Sequence, residues 1–225
     1  MPRKSYQSQL NQLREDVLYM SEVVIERFRT ALAALKQRDE EQAWEVIEGD
    51  DEINEMYLDL EQDCIDLLAL QQPVASDLRF IAASFKIITD LERIADLATN
   101  IGDYTLEAGQ ERYPDVDIQG IGDAVLEMVE DAMMAYAEED PQACREVATH
   151  DDEVDAACEH ASDEVVRSLI ETELDDPEDA DIEALMDDVS RLLLTIRDLE
   201  RVGDHAVNIA ARTLYMIEND DELIY

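Results

Sequence analysis

The chain has 225 residues, enough to bury a core in one elongated domain or two small ones, and 17 basic against 58 acidic residues leave it a formal net charge of −41. That charge repels nucleic acid and anionic membrane surfaces. Three cysteines, Cys64, Cys144 and Cys158, show no C-x-x-C spacing and signal neither a disulfide framework nor a zinc clip, so each is expected as a small buried hydrophobe.

Six glycines, five prolines and 46% hydrophobic content favour long helices over disorder. Adaptation to concentrated salt, where screening acts over roughly 3 Å at ~1 M, is the expected cause of the acidity, with a specific cationic partner as the other reading. The first ten residues, MPRKSYQSQL, lack the apolar stretch of a signal peptide, and no run approaches about 18 apolar residues. The expectation is a cytoplasmic, water-soluble protein without direct membrane insertion.

A first helix is expected from Ser5 to Gln37, with Leu10, Leu13, Val17, Met20, Val24, Phe28, Leu32 and Leu35 as its apolar stripe. Asp39 is placed to cap a second helix through Trp44, Ile53, Leu60 and Leu68, broken around Pro73. A third starts near Ser76 and carries Ile81, Ile88, Leu91, Ile94, Ala98 and Ile101 until Gly109 and Pro114 end it. The pattern then restarts, with helices over 118–137, 142–170 and from Pro177 or Asp179 towards the C-terminus, separated first by Asp140-Pro141. The predicted architecture is all-α, two tandem antiparallel three-helix bundles over residues 1–112 and 113–225.

The two sets align residue by residue. Asp90–Ile101 lies over Asp198–Ile209 with eight of twelve positions identical at a spacing of 108, and Asp50-Asp51-Glu52-Ile53 lies over Asp151-Asp152-Glu153-Val154 at 101. About seven extra residues therefore fall between the last two helices, in an acidic loop expected over 171–181.

At 100° per residue, Ile94, Leu91, Ala98 and Ile101 share one side of the third helix, while Glu92, Asp96 and Asn100 lie opposite; Glu200, Asp204 and Asn208 repeat that outer stripe. Carboxylates at i and i+4 cost an isolated helix a few tenths of a kcal/mol, and a cation between them reverses that sign. Oxygen donors at this spacing suit Mg²⁺, Mn²⁺, Fe or Zn. So acidic a chain also places such pairs by chance, on a solvated face. Acid bias does not explain why Arg93 matches Arg201 and Asn100 matches Asn208 at positions where packing is expected to impose little. Asp50 with Asn54, and Asp151 with Asp155, are further candidate ligands, although first-turn acids also suit a helix dipole. His150, His160 and His205 show no spacing that requires them as ligands. No nucleophile–base pair and no phosphate-cradling glycine loop stands out, so no catalytic residue is named.

With these repeats, and with Pro73-x-x-Ser76-Asp77-Leu78-Arg79 opening the third helix, the chain resembles the PhoU family of phosphate-transport regulators, as an acidic, haloarchaeal-like member. The resemblance implies a non-enzymatic negative regulator of phosphate uptake and phosphate signalling. It implies a partner that is either the ATPase subunit of the phosphate ABC transporter or a phosphate-sensing regulator, and frequent homodimers. It also implies metal binding by some members through motifs that fall here on Glu92 with Asp96 and Glu200 with Asp204. Two other readings stand beside it: a carboxylate-bridged di-iron or metal-storage protein, which needs Glu-x-x-His motifs absent from the third helices, and a metal-free helical adaptor.

Overall fold

Runs of good helix formers interrupted only at a few caps give this chain its shape. The computed structural model describes residues 3–71, 74–107, 116–175 and 182–224. Among them seven helical segments and no strand are found: α1 (Arg3–Gln37), α2 (Glu40–Glu48), α3 (Asp50–Gln71), α4 (Ala75–Glu107), α5 (Ile118–Glu138), α6 (Pro141–Asp175) and α7 (Ile182–Glu218). None of these helices is long and apolar enough to cross a membrane.

The turn after α1 and the turn after α5 are one device built twice, 101 residues apart. Arg38 and Glu139 adopt left-handed φ values of 54° and 55°. The next amides close six-residue loops, Asp39 N–H donating to the Ala34 carbonyl at 3.0 Å and Asp140 N–H to that of Ala135 at 3.1 Å. The same two aspartates then cap the following helix, Asp39 accepting from the amides of Glu41 and Gln42, and Asp140 from those of Gln142 and Ala143. One residue thus ends one helix and starts the next, which forces an antiparallel hairpin.

The second helix expected from the sequence is two helices, hinged at Gly49. The Arg27 side chain enters from α1, and its Nη1 donates to the Val46 carbonyl at 3.3 Å, the acceptor that the Asp50 amide would use in an unbroken helix. Its Nη2 pairs with Glu52 at 3.3 Å. A Cβ at position 49 would lie 1.5 Å from Arg27 Nη1, so only glycine leaves the guanidinium its place. The counterparts of Arg27 and Gly49 are Met128 and His150, and α6 runs unbroken.

A second difference concerns the acidic stretch expected as a loop over 171–181: its first residues extend α6 to Asp175. The rest of it, the Pro177 or Asp179 start, the breaks at Pro73, Gly109 and Pro114, and the boundary between 112 and 113 lie outside the described residues.

Each set packs around its last helix: α4 touches α1, α2 and α3, and α7 touches α5 and α6. The two sets also meet directly, through α4 on α7 and α1 on α5, over one continuous core. Val17, Met20, Val24 and Phe28 of α1, Ile87, Leu91, Ile94 and Ile101 of α4, and Leu199, Val202, Ala206 and Ile209 of α7 are almost wholly removed from water. Each large aliphatic side chain so buried contributes roughly 1.5–3 kcal/mol. The three cysteines lie in this core as free thiols, and burial pushes Cys64 and Cys158 up to about 12 and Cys144 to about 11.

Candidate functional site: two acidic faces and the seam between them

The α4 and α7 helices cross the middle of the molecule in opposite directions, and polar groups pair along the seam by a rule that the duplication makes nearly symmetric. Asn100 Nδ2 donates to Asp198 Oδ2 at 3.1 Å, and its counterpart Asn208 Nδ2 donates to Asp90 Oδ1, the counterpart of Asp198, at 3.4 Å. Asp198 is fully buried and also accepts from the Tyr104 hydroxyl at 2.9 Å and from Arg197 Nη2 at 2.9 Å, with Arg201 at 3.6 Å. Burial and the Asp198 bond push Tyr104 up to about 12. Asp90 has fewer partners: besides Asn208 it holds His205 Nδ1 at 2.8 Å. The matched asparagines therefore have a packing role that a helical wheel does not show, because the wheel knows one helix and the seam needs two.

Flanking the seam, each set gathers its acids between the last helix and the start of α3 in the first set, or the matching stretch inside α6 in the second. In the first set these are Asp50, Glu92 and Asp96. Burial raises Asp50 and Glu92 above the ordinary carboxylate range, and the charge of Asp96 raises both further. This face carries its own compensation. Asn54 Nδ2 donates to Asp50 at 2.7 Å and the Thr99 hydroxyl reaches it at 3.5 Å. Arg93 lies 3.4 Å from Glu92 and 3.0 Å from Asp96.

The second set brings together Asp151, Asp155, Glu200 and Asp204, and nearly all of that compensation is gone. Asp155 stands where Asn54 does, and Val207 where Thr99 does, so a donor becomes an acid and a hydroxyl becomes a methyl. Arg201, the counterpart of Arg93, turns back along α7 to Asp198, away from Asp204. Asp151 Oδ1 is buried without a hydrogen-bond partner, 3.1 Å from where a Cβ on Gly203 would stand. Burial, then the charges of Asp155 and Asp204, lift Asp151 to about 6. Glu200 and Asp204 are raised too, by burial and by Asp155.

All ten residues singled out by spacing thus fall on these two faces or on the seam: Asp50, Asn54, Glu92 and Asp96 on the first face, Asp151, Asp155, Glu200 and Asp204 on the second, Asn100 and Asn208 between. Among the described residues, no three His, Cys, Asp or Glu side chains converge closely enough, as they stand, to hold a metal ion. The donors of the second face are all hard oxygens, one of them orphaned in the interior, which is a set that a hard cation fits once the side chains turn inward. Spacing did not single out Asp90 and Asp198. A carboxylate at the border of each apolar stripe, identical in both repeats, was the signal available for them. His205 serves the seam through Asp90, while His160 lies 3.5 Å from Glu164 on its own helix.

The fold that carries these faces is shared with other proteins. The sequence model of the PhoU domain matches twice, over residues 17–105 and 118–213. The phosphate-specific transport system accessory protein PhoU homolog 1 of Methanothermobacter thermautotrophicus is 35% identical over 96% of this chain and 95% of its own length. The PhoU homolog of Pseudomonas putida is 34% identical over 97% of this chain and 82% of its own. The crystal structure of PhoU from Pseudomonas aeruginosa superposes with a TM-score of 0.85, at 32% identity, over 96% of this chain and all of the other. Two copies of one domain, with the duplicated α4 and α7 segments inside them, account for nearly the whole chain, which therefore belongs to the PhoU family.

Proposed function

We propose that this protein restrains phosphate uptake and phosphate signalling when phosphate is plentiful, acting as a docking protein and not as a catalyst, inside the cell. The observation that carries the reading is the match of two PhoU domains across nearly the whole chain, with relatives named as accessory proteins of the phosphate-specific transport system. A solved relative from Streptococcus pneumoniae, with a TM-score of 0.85 at 26% identity, is named as a phosphate transport system regulatory protein. In this reading the partner is the ATPase subunit of the phosphate transporter or a phosphate-sensing regulator, and the protein works as a dimer. Bundle boundaries near residues 112 and 113 belong to the same proposal.

The two acidic faces are proposed as cation sites. Asp151, Asp155, Glu200 and Asp204 would hold the ion of the second face, and Asp50, Glu92 and Asp96 that of the first, with Mg²⁺, Mn²⁺, Fe or Zn as candidates. Bound cations would relieve the mutual repulsion that lifts these carboxyls, fixing the start of α3 against α4 and the middle of α6 against α7 and so presenting one fixed docking surface. The second face should load first, because its acids have the fewest internal donors.

The test has two arms. Cells lacking the gene should take up labelled phosphate at an unrestrained rate in phosphate-replete medium, and unaltered uptake on deletion would sink the regulatory reading. Replacing Glu92, Asp96, Glu200 and Asp204 by Ala should abolish metal retained by the purified protein while far-UV circular dichroism stays the same. Metal content equal to that of the wild type would remove the cation sites and leave the regulatory reading standing.

A further inference from the structure

Because the fold is duplicated, the groove between α5 and α6 can be compared, position by position, with its counterpart between α1 and the α2–α3 pair. In the first set Tyr19, Val23, Met56 and Leu60 stand on this face; 101 residues on, the same places hold Gly120, Ala124, Ala157 and Ala161. With four large side chains exchanged for four small ones, the cleft of 380 Å³ in the first set becomes a groove of 590 Å³ between α5 and α6, with Ile121, Val154 and Ala161 among its apolar lining. From His150 to Glu164 it follows α6 for about 21 Å, or four helical turns.

Small residues alone name no occupant, but the first set does. There the space is entered by Arg27, whose guanidinium bridges the Val46 carbonyl and the Glu52 carboxylate. In the second set Met128 stands in place of Arg27 and turns into the core, its methyl 3.8 Å from where a Cβ on Gly203 of α7 would lie. Glu153, the counterpart of Glu52, is left without a cationic partner among the described residues. The ionisable residues of the lining are Asp117, Glu127, Glu153 and Glu164 with His150 and His160, and no Lys or Arg is among them. The second set thus lacks both an apolar filling and a guanidinium that the first set supplies from its own chain.

We infer that the α5–α6 groove docks a basic amphipathic helix of a partner protein, which sets an Arg or Lys against Glu153 as Arg27 stands against Glu52, and apolar side chains on the Ala124, Ala157 and Ala161 floor. A helix is the fitting shape because the groove runs between two antiparallel helices, and an apolar stripe at i, i+3, i+4 and i+7 fills such a groove while its flanks reach both rims. The acidic rims steer such a partner in and turn acidic helices away. The inference deepens the regulatory reading above and rests on it only in taking the protein to act through a protein partner.

The experiment uses the full chain and two synthetic helical peptides of about 18 residues, roughly 27 Å long. Both carry the same Arg residues; one has Leu at the stripe positions and the other Ala. Binding is followed by fluorescence anisotropy at ~1 M salt, where screening to about 3 Å suppresses attraction by net charge alone. The Leu peptide should bind at least tenfold more tightly than the Ala peptide. The double variant Ala124→Val with Ala157→Met, which copies the first set, should erase that difference at an unchanged unfolding midpoint, and Glu153→Gln should weaken the Leu peptide severalfold. Equal binding of the two peptides, or an undiminished preference in the filled variant, would overturn the inference. So would sedimentation showing a wild-type dimer that the filled variant cannot form, because the occupant would then be a second copy. None of these outcomes bears on phosphate uptake in the deletion strain, so the docking site and the regulatory reading fail separately.

Discussion

Replacing Asp198 by Ala tests whether the seam between α4 and α7 is held as the geometry implies. The carboxylate has no solvent exposure and accepts from Asn100, Tyr104 and Arg197. Losing it strands the Asn100 amide and the Tyr104 hydroxyl. Both are half-buried and partly reached by water, so each costs near the low end of the usual penalty for an unmade bond, about 1 kcal/mol. Arg197 and Arg201 have side chains 56% and 45% exposed and rehydrate at little cost. The sum is about 2–3 kcal/mol, which for a chain of this size lowers the midpoint by roughly 4–12 °C. The counterpart substitution, Asp90→Ala, removes one bond of 2.8 Å and a weak one of 3.4 Å at a site that is 15% exposed, and should cost about 1 kcal/mol. Calorimetry in concentrated salt reads both. If Asp90→Ala costs as much as Asp198→Ala, or if neither moves the midpoint, the seam is not what joins the two sets.

Three further outcomes are expected. In chelator-treated, metal-free protein Asp151 binds its proton more tightly when folded, with its carboxyl lifted to about 6 from the ordinary 3.8, so the native state holds more protons than the unfolded chain across that window and stability falls as pH rises through it. Asp151→Asn should flatten this slope and, after discounting for partial exposure, raise stability at neutral pH by about 1 kcal/mol; a steeper slope in the variant contradicts the assignment. Gly49→Ala pushes a methyl into Arg27 and should cost about 1–2 kcal/mol, most of which disappears in an Arg27→Met background; additive losses in the double-mutant cycle would show that the two residues do not compete for one space. Arg145 ties the last residues to α6 through Glu218 at 2.9 Å and Glu222 at 2.6 Å, so Arg145→Ala should speed amide exchange over 219–224 and leave the core protected, and unchanged exchange there would rule out that tie.

Much of this architecture could be read from residues because it is written in local signals. Asp39 and Asp140 announce helix starts by chemistry, and Leu91, Ile94, Ala98 and Ile101 announce a buried stripe by spacing. What stayed hidden depended on contacts distant along the chain. No local rule breaks the helix at Gly49, because the cause is Arg27, 22 positions earlier, reaching across from α1. Nor could a wheel assign Asn100 and Asn208 to Asp198 and Asp90, each about a hundred residues away. The candidate acids were legible as a set; their division into a compensated face and an exposed one was not. That division turns on Asn54 against Asp155, Thr99 against Val207, and the direction in which each of two matched arginines points.

The duplication also explains why the two halves need not do the same work. A seam that must join the repeats constrains Asp90, Asp198, Asn100 and Asn208 together, since altering one strands its partner in the other repeat. Positions off the seam carry no such constraint, and there the halves have drifted in a consistent direction. In the first set Arg27 and Arg93 answer Glu52, Glu92 and Asp96 from within the chain. In the second, Met128 has withdrawn into the core and Arg201 pairs with Asp198, so Glu153 and Glu200 have no ion pair among the described residues and Asp204 feels Arg201 and His205 only at a distance. A net charge of −41 spread evenly would favour no face. Concentrating uncompensated acids and open apolar floor on one repeat gives cations and cationic partners a preferred side.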